Sequence, residues 1–237
     1  MAGPTLVQPQ FPDDDGSADP ALRDALAAHA RGHAGEYAVL ERLAVARLLV
    51  PIVAVLTEEE AVAPGELRRE KESDMALPTL LGEDGRRGVL GFTSMDALRR
   101  WREDARPVPV HTRDACRSAL DEGAHALVVD VAGPVPFAVD GLRLHLLAEG
   151  RAVPPPHEDP DVLAAIEAAF GGEEGVRGVR VGRGEAAELA IRCGLAPGHD
   201  ERAILRRVSD RLAELLRGRI VGGVELTVAR AAPGRPE

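Results

Sequence analysis

The chain has 237 residues, 45% hydrophobic and 29% charged, with a formal net charge of −10. That length allows one large domain or two small ones, and the apolar share is that of a folded globular protein. No apolar run approaches the ~20 residues of a membrane span, so no membrane association is expected. The first residues show no basic region followed by an apolar core, so no secretory signal is read and a cytoplasmic location is expected. Two cysteines, Cys116 and Cys193, cannot make a disulfide framework. The acidic balance and the scarcity of aromatic rings (one Trp, one Tyr, four Phe) argue against nucleic acid as a partner. All but one of the 29 basic residues are Arg, the exception being Lys71. This skew fits a GC-rich coding sequence and takes weight away from arginine counts.

Residues 1–19, with three prolines and the run Asp13-Asp14-Asp15, read as a disordered acidic tail. Asp19-Pro20 is a strong helix start, followed by the stripe Leu22, Ala25, Leu26, Ala30. A second helix resumes at Glu36 with Leu40, Leu43 and Ala44 on one face. Leu48 to Leu56 is short, apolar and rich in β-branched residues, as a strand buried on both sides would be. Pro51 deletes a ladder donor and so belongs at an edge, an end or a bulge. Residues 57–74 carry seven carboxylates against three cations and read as a solvated loop. The runs Leu77 to Leu81 and Arg87 to Phe92 flank Gly82-Glu83-Asp84-Gly85 as a hairpin. A helix follows from Thr93-Ser94 to Arg102 and a strand over Val108 to Val110. Next come a helix over 112–122 capped by Thr112, a buried strand over Ala126 to Val131, and a possible strand over Val135 to Ala138. The spacing of Leu142, Leu144, Leu146 and Leu147 suits a last helix less cleanly.

Residues 151–160 hold Pro154-Pro155-Pro156 and Asp159-Pro160 and read as a Pro-rich linker. They would separate an N-terminal domain, 20–150, from a C-terminal domain, 161–230, and leave 231–237 as a frayed tail. In the second domain a helix over Asp161 to Phe170 precedes strands over Val176 to Val181 and Glu188 to Cys193. A long helix over 199–217 and a closing strand over Ile220 to Ala229 follow. The expected fold class is α/β with mixed α+β character: two small layered domains, each a mixed sheet packed by helices.

Motifs that could carry chemistry are few. Gly182-Arg183-Gly184-Glu185-Ala186-Ala187 fits a loose dinucleotide pattern, but the strand-like segment after it makes a hairpin turn the better reading. His29 and His33 share a helix face at metal-ligand spacing with no partner motif, and are read as helix-end histidines. Cys116 lies near His111 and Asp114, but spacings of five and two do not converge on one helix face, so it is read as a core residue. The arginines 202, 206, 207 and 211 of the long helix, interleaved with Glu201, Asp210 and Glu214, read as a solvated ion-paired face. No cofactor, metal or catalytic set is expected. The one concentrated basic-aromatic group is Arg99-Arg100-Trp101-Arg102, a candidate partner-binding surface. The competing reading, that Trp101 packs inward and the arginines are merely solvated, carries more weight.

The chain resembles the SseB-like proteins of actinobacteria, named for enhanced serine sensitivity. The likeness runs through Leu48-Leu49-Val50-Pro51, Leu77-Pro78-Thr79-Leu80, Gly91-Phe92-Thr93-Ser94, Leu98-Arg99-Arg100-Trp101 and Gly123-Ala124-His125-Ala126-Leu127-Val128-Val129-Asp130. The run from Pro197-Gly198-His199-Asp200 to the closing strand is similar to the smaller domain that often follows. The resemblance implies Asn more often where this chain has Asp130, and it supplies no catalytic residues. A non-enzymatic cytoplasmic interaction or regulatory protein with a protein partner is therefore expected. The alternative is a small-molecule sensor or enzyme, for an amino acid or nucleotide, related to serine metabolism.

Overall fold

A computed structural model describes residues 11–55, 74–76 and 78–229. The chain divides into two compact units, Met1–Val153 and Pro154–Glu237. Residues 1–10, the acidic stretch 56–73 and the tail 230–237 lie outside the described residues, and with them most of the expected loop.

The first unit runs α1 (Pro20–Ala30), α2 (Glu36–Leu43), β1 (Arg47–Val55), β2 (Asp74–Ala76), β3 (Thr79–Leu81), β4 (Arg87–Gly91), α3 (Met95–Trp101), β5 (Arg106–His111), α4 (Thr112–Asp121), β6 (Ala126–Val129), β7 (Phe137–Asp140) and α5 (Gly141–Ala148). Asp19 and Ser94 start α1 and α3 as the sequence predicts, their side chains accepting from the amides of Leu22 and Ala97. Helix α4 differs. Its cap is His111, and the Thr112 hydroxyl instead donates to the Ala46 carbonyl at 3.1 Å. Thr112 is buried, so this bond to the chain before β1 satisfies a hydroxyl that would otherwise be stranded.

The strands form a mixed sheet in the order β3-β4-β6-β7, in which only the central pair β4–β6 is parallel, and an antiparallel sheet in the order β2-β1-β5. Leu49 and Phe92 join them by exchanging backbone bonds of 2.8 and 2.9 Å. Leu48 and Val50 point into a core built with α1, α2, α4 and α5, while Leu49 points into a second cluster under α3. Strand β1 is therefore buried on both faces here, as its unbroken apolar run implies.

The prolines of β1 and β5 follow one rule. Leu49 turns its N–H and C=O toward Phe92, so its partner across β5, Pro109, sits in a non-hydrogen-bonded pair. Pro107, opposite Pro51, has the same parity. All three nitrogens thus fall where the β1–β5 ladder needs no donor. Those of Pro107 and Pro109 face the outer edge of the sheet, which therefore lacks donors at these two positions.

The second unit runs α6 (Pro160–Phe170), β8 (Val176–Gly182), β9 (Leu189–Leu195), α7 (Glu201–Leu215) and β10 (Val224–Ala229). The sheet order is β10-β9-β8, with β8–β9 antiparallel and β9–β10 parallel across the α7 crossover. Leu189, Ile191 and Cys193 pack against Val162, Ile166, Ile204, Val208 and Leu212 of the helices. Ahead of α6, the Pro155 carbonyl accepts from the amides of Glu158 and Asp159. The proline run therefore ends in a turn that feeds the helix and does not continue as an extended spacer. Both units are layered α/β; the second has the one mixed sheet expected, whereas the first divides its strands between a mixed and an antiparallel sheet.

The first core tests simply. Leu127, fully buried at the centre of the parallel pair, is expected to cost about 2–5 kcal/mol when truncated to Ala, measured by urea unfolding.

Candidate functional site

In an open α/β sheet the loops leaving the carboxyl ends of adjacent parallel strands frame the usual crevice. Here those loops are Phe92-Thr93-Ser94, which leads from β4 into α3, and the residues after Val129 at the end of β6. Strand β6 stops at Val129 because Asp130 takes the left-handed conformation, φ +50°, which Asp and Asn tolerate best among residues with a side chain. Its carboxylate is 1% exposed and accepts from the Thr93 amide at 2.8 Å and the Thr93 hydroxyl at 2.7 Å. Burial pushes the Asp130 carboxyl up from its ordinary value; the Thr93 bonds and the positive charge of Arg100 oppose that shift without cancelling it.

The third polar group of Thr93, its carbonyl, accepts from Arg47 at 2.9 Å. Arg47 also donates to the Ser17 carbonyl at 2.9 Å and makes a two-pronged ion pair with Asp14. The Gly16 carbonyl takes the Met95 amide at the start of α3. Gly16 has φ +77°, and a Cβ there would lie 2.4 Å from Met95 Cγ, so a side chain at this position would be strained and would displace Met95. The Phe11 ring stands edge-on to His111 at 4.8 Å. Residues 11–19, expected as part of a disordered tail, are thus docked. Their charges serve an ion pair and turns, a use that composition does not reveal. Between this segment and the ends of β1 and β5 is a cavity of about 460 Å³, lined by Phe11, Asp13, Asp15, Asp19, Arg47 and His111 among others.

The candidate partner surface lies beside this network on α3. Trp101 is half-buried, its ring 5.5 Å from that of Phe92, and the Arg102 guanidinium lies 5.2 Å from the indole centroid. Arg99, Arg100 and Arg102 are exposed. The indole is thus anchored in the small cluster under α3 while the cations remain on the surface.

The other sequence candidates separate. Cys116 is turned fully into the core, and burial pushes its thiol up to about 12, so it is not a thiolate near neutral pH. His111 meets Phe11, and Asp114 faces Arg113 and Arg117. His29 packs edge-on against Phe137 at 5.5 Å, while His33 follows the helix end, where Gly32 has turned to φ +71°. Among the described residues no group of three or more His, Cys, Asp or Glu is placed to hold a metal ion. No helix among them is long and apolar enough to cross a membrane.

The loop over 183–188 joins β8 to β9 as a hairpin and opens no helix. Its Ala186 and Ala187 amides donate to Glu225 at 2.6 and 2.9 Å, holding that carboxyl below its usual range. Glu188 accepts in return from the amides of Val221 and Gly222 at 2.9 and 2.8 Å. The amides that a dinucleotide reading would give to a phosphate serve a carboxylate of this chain. On α7, Arg207 and Arg211 pair with Glu173 at 2.7 and 3.0 Å. That carboxylate is outside the helix, not one of the interleaved acids the sequence suggests.

Two outcomes follow from this geometry. Asp130 has a folded-state pKa above that of the unfolded chain, so its ionisation subtracts stability as pH rises through the folded value. Asp130→Asn keeps an acceptor for the Thr93 amide and removes that ionisation. Urea unfolding should show the variant gaining most on the wild type at alkaline pH, the difference closing as pH falls toward 3.8. Asp130→Ala strands the Thr93 donors and is expected to cost about 1–3 kcal/mol. Both cysteines are buried, so a thiol reagent at pH 8 should modify neither until the protein is unfolded.

A family model described as the SseB protein N-terminal domain matches residues 22–145. No curated protein and no solved structure matches the chain. The matched span runs from α1 into α5, takes in Arg47, Thr93, Asp130 and the α3 group, and covers more than half of the sequence: the chain belongs to the SseB family.

Proposed function

We propose that this protein acts without catalysis, as a cytoplasmic interaction or regulatory protein whose partner is another protein, and that 161–230 is the second, smaller SseB-like domain of an actinobacterial-type chain. The observation that carries the reading is the division of labour at the β4–β6 strand ends. The polar groups there, buried Thr93 and Asp130 and half-buried Arg47 and Asp14, are committed to one another. The groups left facing outward, Arg99, Arg100 and Arg102 around the Trp101 ring, suit recognition of an acidic protein surface. Neither nucleic acid nor membrane is part of the proposal.

The test is cross-linking capture from the native host with the wild type and with Arg99→Glu, Arg100→Glu and Arg102→Glu combined. A partner recovered by the wild type, and bound at least tenfold more weakly by the variant at unchanged melting temperature, is the expected result. Equal recovery by both would sink the α3 surface.

The cavity beside His111 favours a second reading, a small-molecule sensor or enzyme. Its carboxylates and the Phe11 ring suit an ammonium group such as an amino acid carries. A thermal-shift panel of amino acids and nucleotides separates the two, since a ligand at a hundredfold excess over its Kd adds about 2.7 kcal/mol of apparent stability. A reproducible shift would favour the sensor.

A further inference from the structure

The sheet of the second unit has a face that the helices do not cover. Alternation along the strands sends Val179, Val181, Leu189, Ile191, Cys193, Val224, Leu226 and Val228 to the helix side. The opposite side reads, row by row across the strands, Gly178-Gly194-Ala229, Arg180-Arg192-Thr227 and Gly182-Ala190-Glu225. It is a flat floor of small residues with two arginines directly opposite each other in the middle row.

Packing among the described residues accounts for few of these choices. A Cβ at Gly178 or Gly182 would meet no atom within 4 Å, and at Gly194 only the Gly178 carbonyl at 4.0 Å. None of the three has a positive φ; Gly178 borders the register shift after Val176, but at Gly182 and Gly194 neither a bulge nor internal packing calls for glycine, which weakens strands. Like charges directly across a ladder repel, yet Arg180 and Arg192 are both exposed and neither makes an ion pair among the described residues. Glu225, the acid on the same face, has its carboxylate on the Ala186 and Ala187 amides and feels the charge of Arg192 as a weaker influence, without a direct ion pair. The flat floor alone identifies no ligand. The charge on it does, because two adjacent guanidinium forks complement carboxylates.

The geometry points to a docking face on which β8, β9 and β10 receive an acidic segment of another protein chain, laid flat across the strands with its carboxylates on Arg180 and Arg192. Gly178, Gly182 and Gly194 allow the backbones to approach closely. No aromatic ring stands on the face, so bases of a single-stranded nucleic acid would find nothing to stack on. This inference goes beyond the α3 reading, and neither depends on the other.

The test is fluorescence anisotropy at low salt on the full chain, with a labelled ten-residue peptide of alternating Glu and Gly. The same peptide with Gln for Glu is one control, and a ten-residue oligothymidylate is the other. The Glu peptide should bind and the Gln peptide should not. Arg180→Gln with Arg192→Gln, which also removes the repulsion, should weaken binding at least tenfold without lowering Tm. Gly194→Val should weaken it comparably while Tm holds or rises. The α3 triple variant should bind the peptide as the wild type does. Equal binding of the Glu and Gln peptides, unchanged affinity in both sheet variants, or tighter binding of the oligothymidylate would overturn the assignment.

Discussion

Thr93 sits at the join of nearly everything in the first unit. Its amide and hydroxyl are held by Asp130 and its carbonyl by Arg47, which in turn holds Asp14 and Ser17. One residue thus ties the exits of both parallel strands to the start of β1 and to the segment before α1. Buried polar groups are costly when unpaired, so such a set is stable only when complete. The N-cap of α3 lies one residue further on and Met95 two, so the helix presenting the arginines inherits its position from this knot.

The second unit solves a similar problem with carboxylates on backbone amides. Glu225 and Glu188 each cross to the other's loop, so the hairpin turn and the approach to β10 are clasped at two points. Anion-accepting amide pairs are often associated with bound phosphate. Here the anion is covalently part of the fold, and the glycine-bearing loop is a structural joint.

The sequence reveals much of this architecture and little of its polar wiring. Regular elements were legible because local signals agree with the global fold: Asp19-Pro20 at α1, Ser94 at α3, the unbroken apolar run of β1, the stripe of α7. The family likeness from Leu48 to Asp130 was legible too, carried by packing residues. What was not legible are pairings across long separations, such as Asp14 with Arg47 and Thr93 with Asp130. An acidic run next to prolines looks like a tail because composition cannot show that one carboxylate of the run meets a guanidinium more than thirty residues away. The Thr112 cap misled for the same reason, its hydroxyl being claimed by a carbonyl in another element. For the α3 group, the tetrapeptide was visible, but the anchoring of Trp101 on Phe92 was not.

The placement of Pro107 and Pro109 on the outer side of β5 has a consequence for how the protein behaves in a crowd. An edge strand is a template on which another chain can extend a sheet, the first step of strand exchange and fibril growth. Along β5 that template is broken at Pro107 and Pro109, two of the three positions whose nitrogens face outward, the third being His111 at the strand end. A nascent or partly unfolded copy arriving at Pro107 and Pro109 finds acceptors without donors. Beside the apolar, doubly buried first half of β1, the protein carries its protection against misassembly in the strand that borders it.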